Sequence, residues 1–167
     1  FLHYAIEDHA VRLVGLDTLV EGSDGGALCE ERLAWLDATL AAAPERPTLV
    51  FMHHPPFESG IRWMDSMGLS GSSELRGILG GHPQVRLVVC GHIHRPFYSM
   101  LGGVPVAVAP STAWQVHLDL SPEAGPQAAL DPAAAFLHVW NGEAFVTHTS
   151  YVIPGARSIP LDDMMGA

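Results

Sequence analysis

Two short stretches decide the fold of this 167-residue chain, and they share one design. One is Pro47-Thr-Leu-Val-Phe-Met-His-His-Pro-Pro56, and the other is Val85-Arg-Leu-Val-Val-Cys-Gly-His-Ile-His94. Each begins with a predominantly apolar run, which is typical of a strand buried on both faces. Each run is followed by histidines, and the two prolines end the first strand. Because open α/β sheets bind ligands at the carboxyl ends of their strands, these histidines mark one sheet edge as a candidate site.

Helical patterns precede and separate the two strands. The first helix is predicted by apolar residues that recur at helical spacing and stop before Pro44, namely Cys29, Leu33, Leu36, Leu40 and Ala43. A short helix or ordered loop is predicted over Ile61–Leu69. A further helix, capped by Ser72 or Ser73, is expected to run through Leu79. The alternation of strand and helix predicts an α/β fold.

Shorter alternating segments flank this central part. A strand pair with a short turn is predicted at residues 2–6 and 11–15. After the second histidine motif, short strands are predicted at residues 97–101, 104–109, 116–120, 135–140 and 144–152. Asn141-Gly142 is a strong hairpin signal. The Pro-, Ala- and Gly-rich residues 121–134 predict a surface loop.

The charge balance excludes two classes of partner. The chain has 18 acidic residues against 8 basic ones, all arginine, and a formal net charge of -10. Without a basic cluster, neither duplex nucleic acid nor an anionic membrane is an expected partner. No apolar run approaches the roughly 20 residues of a membrane span, and no signal-peptide pattern opens the sequence. We therefore expect a soluble protein.

The two cysteines, Cys29 and Cys90, lie in segments that are predicted to be buried. They form neither a CxxC pair nor a disulfide framework. This usage is typical of a reducing compartment, so we expect a cytoplasmic protein.

The histidines that follow the two strands are the candidate metal ligands. His92 and His94 are two residues apart, so an extended backbone places both on one face, and a turn after Gly91 can aim both at one point. His53 precedes Pro55, which stiffens its loop. Either motif alone is compatible with exposed loop histidines, but both together, after separate apolar strands, favour a metal site. Neutral imidazole suits Zn, Fe, Ni and Cu, and Mn where carboxylates help.

Residues 51–57, Phe-Met-His-His-Pro-Pro-Phe, together with Gly91-His-Ile-His94 resemble the calcineurin-like metallophosphoesterase superfamily, in its class III cyclic-nucleotide and glycerophosphodiesterase branch. The resemblance extends over residues 16–18, 26–36, 63–65 and 109–112. It implies part of an αββα sandwich, a mixed β-sheet flanked by helices, with the N-terminal strands missing. Residues 1–153 would form the C-terminal portion of this domain, and residues 154–167 a loosely ordered tail.

The resemblance also implies a binuclear centre of Mn, Fe or Zn ions that hydrolyses a phosphodiester with a metal-bound hydroxide. His53 and His92 resemble ligands of one ion, and His94 resembles a ligand of the other. His54 is expected beside the ligands or at the pocket rim, and Asp65 towards the substrate pocket. Arg95 is expected either to bind a phosphate oxygen or to form a surface ion pair.

The sequence departs from the family in one large respect. The Asp-x-His, Gly-Asp and Gly-Asn-His-Asp/Glu motifs, which supply the bridging aspartate and the remaining ligands, are absent. Three histidines without a bridging carboxylate suit one ion or none rather than two. Carboxylates that can compensate are Asp8, Asp17, Glu58, Asp65 and Asp119, and the remaining histidines of the strands, His117, His138 and His148, are expected to be solvent-facing or hydrogen-bonded.

Two functions remain open at this stage, beside a purely structural domain whose histidines are incidental. The first is metal-dependent hydrolysis of a cyclic nucleotide or small phosphodiester, with this chain carrying only the His53, His92 and His94 part of the centre. The alternative is a catalytically inactive truncated relative that acts as a metal-binding or oligomerising module. Because half a sandwich exposes an apolar sheet face, we expect a homo-oligomer.

Overall fold

The computed structural model describes residues 1–153, 155, 158, 160 and 161. Its strands are β1 (Tyr4–Ile6), β2 (Arg12–Gly15), β3 (Gly26–Ala27), β4 (Thr48–Phe51), β5 (Leu69–Ser70), β6 (Val85–Cys90), β7 (Phe97–Leu101), β8 (Val104–Val108), β9 (Gln115–Val116), β10 (Ala128–Ala129), β11 (Ala134–Trp140) and β12 (Phe145–Tyr151). Its helices are α1 (Glu30–Ala41), α2 (Arg62–Asp65) and α3 (Ser72–Gly81).

A six-stranded mixed sheet forms the centre, in the order β1-β2-β4-β6-β8-β7. Its four inner strands, β2, β4, β6 and β8, are parallel neighbours, and the two edge strands are antiparallel. Val50 of β4 lies opposite Val14 of β2 and Val88 of β6, and all three side chains are buried. The predicted α/β class with a mixed sheet is confirmed. The carboxyl ends of β2, β4 and β6 consequently share one edge.

Helices α1 and α3 cover one face of this sheet. Their spaced leucines, Leu36 and Leu40 of α1 with Leu75 and Leu79 of α3, belong to one buried cluster with valines of the inner strands. Burial of a leucine side chain stabilises the fold by about 1.5–3 kcal/mol. The apolar residues that predicted the helices are therefore the ones that pack against the sheet. They determine which face of the sheet the helices cover.

The opposite sheet face is covered by the hairpin of β11 and β12. Phe136, Trp140 and Phe145 of the hairpin pack against Leu49 and Leu87 of the sheet. The predicted Asn141-Gly142 turn is confirmed: the asparagine Oδ1 accepts hydrogen bonds from the N–H groups of residues 143 and 144, and the glycine has φ +101°. Leu137, Val139 and Val146 lie on the outer side of this hairpin and are exposed.

The starts of two helices differ from the predictions. Helix α1 begins at Glu30 and leaves Cys29 exposed, so the predicted burial of that thiol is wrong, whereas Cys90 is buried. Helix α3 begins after Gly71, at φ +86°, with no side-chain cap. The hydroxyl of Ser72 instead donates to the carbonyl of Leu69, because the left-handed glycine turns the chain before that serine can act as a cap.

Short strand pairs also depart from the predictions. The strand predicted at residues 116–120 is confined to Gln115–Val116, because Leu118 and Leu120 are exposed and extend no strand pair among the residues that the structure describes. The predicted loop 121–134 contributes β10, which pairs with β9. Strands β3 and β5 form a second two-residue pair that the sequence did not indicate. The tail predicted from residue 154 lies outside the described residues except for positions 155, 158, 160 and 161. Within the described part of the chain, no helix has the length and apolar character to cross a membrane.

Candidate metal centre

Three histidines meet where β4 and β6 end. One ring nitrogen from each of His53, His54 and His92 lies within 4.8 Å of the others, and Nδ1 of His92 is 3.3 Å from Nε2 of His53. The strand ends are fastened to each other, since the N–H of Met52 donates to the carbonyl of Val89 and the N–H of Gly91 donates to the carbonyl of His53. Strand pairing therefore brings together histidines that are 39 positions apart in sequence.

The backbone after Gly91 turns instead of staying extended. His92 has φ +68° and His94 has φ +51°, both in the left-handed region that non-glycine residues rarely adopt. Between them Ile93 is 3% exposed and is part of the buried core. Backbone strain of this kind costs about 1–3 kcal/mol per residue and clusters at functional sites. The strained turn therefore holds His92 and His94 on either side of the buried side chain of Ile93.

Two ring nitrogens at this turn are unsatisfied. Nε2 of His92 and Nδ1 of His94 are buried and have no hydrogen-bond partner among the described residues. A buried polar atom without a partner costs about 1–3 kcal/mol. A divalent cation would satisfy a nitrogen of this kind, so the chemistry of both rings fits a metal ligand. His94, however, does not join the group formed by His53, His54 and His92.

The electrostatics of the cluster keep its rings neutral. Burial, with His54 and His53 close by, lowers the pKa of His92 to about 4. Desolvation lowers the pKa of His53 as well, and the neighbouring His54 and His94 add to that effect. Because only the deprotonated imidazole donates a lone pair, these shifts favour metal binding near neutral pH.

His54 lies beside these rings with both of its nitrogens occupied. Its Nδ1 is 2.8 Å from the hydroxyl of Thr18, and its Nε2 is 3.1 Å from the carbonyl of Asp24. A carbonyl only accepts, so Nε2 carries the hydrogen and Nδ1 accepts from the threonine. His54 is 4% exposed, and its ring centroid is 4.8 Å from that of His53 and 4.6 Å from that of His92. It forms a wall of the cluster and offers no free nitrogen.

Asp65 and Arg95, the other two expected substrate-binding residues, also make hydrogen bonds or ion pairs within the protein. The carboxylate of Asp65 accepts hydrogen bonds from the N–H and hydroxyl of Ser59 and from the N–H of Gly60. Arg95 donates from Nη1 to the carbonyl of Val116, and the same nitrogen is 3.6 Å from a carboxylate oxygen of Asp131. Asp65 therefore holds the loop at Ser59 and Gly60 in place. Arg95 lies beside Asp131, in an ion pair, which is one of its two expected roles.

Among the described residues, no carboxylate joins the histidine cluster. The candidates that the sequence offered, all absent from it, were Asp8, Asp17, Glu58, Asp65 and Asp119. Asp17 accepts hydrogen bonds from the N–H groups of Leu2 and Leu19 and pairs with Arg32 at 3.3 Å. Burial alone would raise the pKa of Asp17, but these N–H donors and the arginine charge outweigh it and lower the pKa. The candidate centre has imidazole ligands alone, which suits one cation better than two.

The histidines set aside in the sequence lie away from the cluster. His138 is half-buried on the inner side of the hairpin, where its Nδ1 is 2.8 Å from the hydroxyl of Thr147 on the paired strand. His117 and His148 are exposed. Sequence reasoning did not find Thr18 and Trp114, whose indole ring lies 4.5 Å from the ring of His94. The motif at residues 16–18 was the available signal for the first, and no signal pointed to the second.

The geometry defines an α/β domain with a histidine cluster at the carboxyl edge of its parallel strands. No family model matches the chain. A probable glycerophosphodiester phosphodiesterase, GpdQ, of Arcobacter nitrofigilis is 39% identical over 153 residues, covering 90% of this chain and 56% of the relative. The 3′,5′-cyclic adenosine monophosphate phosphodiesterase CpdA of Escherichia coli is 40% identical over 100 residues, covering 60% and 36%.

The chain resembles the calcineurin-like metallophosphoesterase superfamily, in its branch of class III cyclic-nucleotide and glycerophosphodiester phosphodiesterases. A glycerophosphodiester phosphodiesterase, GpdQ, of Enterobacter lignolyticus is 32% identical over 88% of this chain and 52% of the relative. The chain therefore spans about half the length of the GpdQ relatives that it matches. A dimetal phosphatase of Danio rerio aligns in structure with a TM-score of 0.49 and 17% identity, over 65% of this chain and 48% of that one.

Proposed function

We propose that this chain contributes to metal-dependent hydrolysis of a small phosphodiester or cyclic nucleotide. The observation that carries the proposal is the strained turn whose buried ring nitrogens, Nε2 of His92 and Nδ1 of His94, lack partners among the described residues, with His53 3.3 Å from the first of these rings. The similarity to the glycerophosphodiester phosphodiesterase GpdQ and to the cyclic adenosine monophosphate phosphodiesterase CpdA supports it.

In this proposal His53 and His92 bind one divalent ion and His94 binds a second where a second is present. Mn, Fe and Zn are the proposed metals, since all accept imidazole ligands. When bound, such ions polarise the phosphoryl group and lower the pKa of a coordinated water. His54 keeps the first two rings in place from the side, fixed through its own hydrogen bonds to Thr18 and Asp24.

The proposed phosphate contact is Arg95, which follows the last candidate ligand directly. One of its nitrogens holds the carbonyl of Val116, but a guanidinium has five N–H donors, so others remain for a phosphate oxygen. This local charge matters because the net charge of -10 repels an anionic substrate at long range. We propose that Asp65 acts on the substrate side indirectly, by holding the Ser59–Gly60 loop.

The second candidate function is an inactive metal-binding or oligomerising module. The all-histidine cluster favours it, because two adjacent dications need a bridging carboxylate to offset their repulsion and none joins the cluster among the described residues. The apolar side chains on the outer side of the hairpin, Leu137, Val139 and Val146, support the proposal of a homo-oligomer. Sedimentation equilibrium tests it: a monomer at high concentration would contradict this part of the proposal.

Elemental mass spectrometry on the untagged chain, re-equilibrated with Mn²⁺ or Zn²⁺, separates the two functions. Near two ions per chain, with metal-dependent hydrolysis of bis(4-nitrophenyl) phosphate, supports the phosphodiesterase. One ion or none, without hydrolysis, supports the inactive module and contradicts the phosphodiesterase. His92→Ala is expected to lose metal, while the matched control His148→Ala, an exposed histidine on β12, should keep it.

We also propose that residues 1–153 are the C-terminal portion of a metallophosphoesterase domain and that the protein is cytoplasmic. The free thiols Cys29 and Cys90 support the second point, because burial raises the pKa of Cys90 and keeps it unreactive, and neither cysteine forms a disulfide. Fractionation of the source cells, with immunodetection of the chain, tests the location.

A further inference from the structure

Trp114 is an exposed aromatic side chain at the edge of the candidate centre. Its indole centroid lies 4.5 Å from the imidazole of His94, and the two rings are tilted by 54°. The side chain is nevertheless 44% exposed. A tryptophan that contacts a candidate ligand on one side and remains open to solvent elsewhere can contact whatever is bound beside that ligand.

The loop that carries Trp114 is tightly held. The next residue, Gln115, is 2% exposed, and its side-chain amide accepts from the N–H of Ser111 and donates to the carbonyl of Ser111. The N–H of Val116 donates to the carbonyl of His94, which ties the loop directly to the histidine turn. A platform fixed before binding loses little conformational entropy when a ligand arrives.

We propose that Trp114 is a specificity-determining residue that stacks on the base of a nucleoside phosphoester while the phosphate is held at the histidine cluster. The inference rests on the proposed function, because it needs the phosphate at that cluster. A nucleobase is flat and apolar on its faces, and stacking on an aromatic side chain is a common way to bind it. In a nucleotide a single sugar separates the phosphate from the base. A base could therefore lie on Trp114, whose ring is next to the candidate ligand His94, while the phosphate lies at the cluster. A glycerophosphodiester has no flat ring to place there.

Adenosine 5′-monophosphate and ribose 5-phosphate test this inference, because they differ only in the adenine and neither undergoes phosphodiester hydrolysis. Their binding to the Mn²⁺-loaded 167-residue chain is measured by isothermal titration calorimetry. Adenosine 5′-monophosphate should bind the unaltered chain about 5- to 150-fold more tightly than ribose 5-phosphate, which is the range for one base–aromatic stack. Trp114→Leu keeps an apolar cover on His94 and should lose most of that advantage, whereas Trp114→Phe should keep part of it.

The outcomes separate the failure of the inference from that of the proposed function. If both ligands bind the unaltered chain equally, or if Trp114→Leu weakens both by the same factor, Trp114 only supports His94 and the inference is wrong while phosphate binding stands. If neither ligand binds, the proposed function itself fails and the inference with it. Direct titration of Mn²⁺ into both variants completes the test, since a side chain that recognises a base leaves metal affinity unchanged.

Discussion

The hydroxyl of Thr18 lies 2.8 Å from Nδ1 of His54. Thr18 follows β2 and His54 follows β4, so this buried hydrogen bond joins two neighbouring strand ends at the site edge. Through the rings of His53 and His92, which pack against His54, it also supports the candidate ligands. The two strand ends therefore share one polar contact that connects the core to the site.

Thr18→Val tests this contact. Valine fills the same volume but leaves Nδ1 of His54 buried without a donor, which we expect to cost about 1–3 kcal/mol in free energy of unfolding. Metal affinity should also fall, but by less than the roughly 10–100-fold lost when a group bonded directly to a ligand is removed, because Thr18 acts through His54. Thr18→Ser keeps the hydroxyl and should restore most of both. Urea unfolding and Co²⁺ titration with visible absorption measure the two effects, and equal behaviour of valine and serine variants would refute the role of the hydroxyl.

Gly26 is needed for the same histidine. A Cβ on this residue would clash with Nδ1 of His54 and force the ring to move. We expect Gly26→Ala to destabilise the chain by about 1–3 kcal/mol, as overpacking of a filled core does. Gly77 is the matched control, because it lies in α3 with nothing within 4 Å of its added Cβ. There the alanine should stabilise by about 0.5–1 kcal/mol, and thermal unfolding of both variants shows whether the signs are opposite.

The sequence predicted the parts of this arrangement that depend on long patterns. The apolar runs before His53 and His92 specify parallel strands, and neighbouring parallel strands end at one edge, so their meeting followed from the strand pattern. The pairing of β3 with β5 did not, because two residues carry no periodicity. The contact of Thr18 with His54 also escaped, since no local signal states which strand lies beside β4. The left-handed turn at His94 could not be predicted either, because no glycine occupies that position.

Asp17→Asn tests the buried pair with Arg32, whose two side chains are 8% and 7% exposed. The pKa of Asp17 is lowered in the folded protein, so the unfolded state binds the proton first and this stability is present above the unfolded pKa of about 3.9. It disappears as the pH falls through the folded value. At pH 7 we expect the variant to lose about 1.5–3 kcal/mol, the usual contribution of hydrogen bonds to a charged group. Chemical unfolding at pH 7 and near pH 2 should show the two proteins converging in acid; a gap that persists there would contradict the assignment.

His138→Gln tests the half-buried histidine of the hairpin, which lies far along the chain from the candidate ligands. Burial lowers the pKa of His138, so below about pH 6.5 the unfolded state takes up the proton before the folded state does, and folding is penalised. Glutamine keeps a partner for the hydroxyl of Thr147 without this titration. We expect the variant to gain stability relative to the unaltered chain between pH 7 and pH 5. Urea unfolding at both pH values measures the difference, and a gap that does not change with pH would rule out this origin.

A pair of substitutions at His92 separates ligand loss from backbone strain. Both His92→Ala and His92→Gly remove the imidazole, so neither variant should bind Co²⁺ with the affinity of the unaltered chain. They differ in the backbone, because φ is +68° at this position and a left-handed conformation costs a residue with a Cβ about 1–2 kcal/mol. Glycine adopts it freely, so without metal the glycine variant should be the more stable of the two by about 1 kcal/mol, after its greater unfolded-state entropy is counted. Thermal unfolding in the presence of chelator measures this difference. If alanine proves as stable as glycine, the turn is not strained, and the two positive φ angles lose their value as a mark of the site.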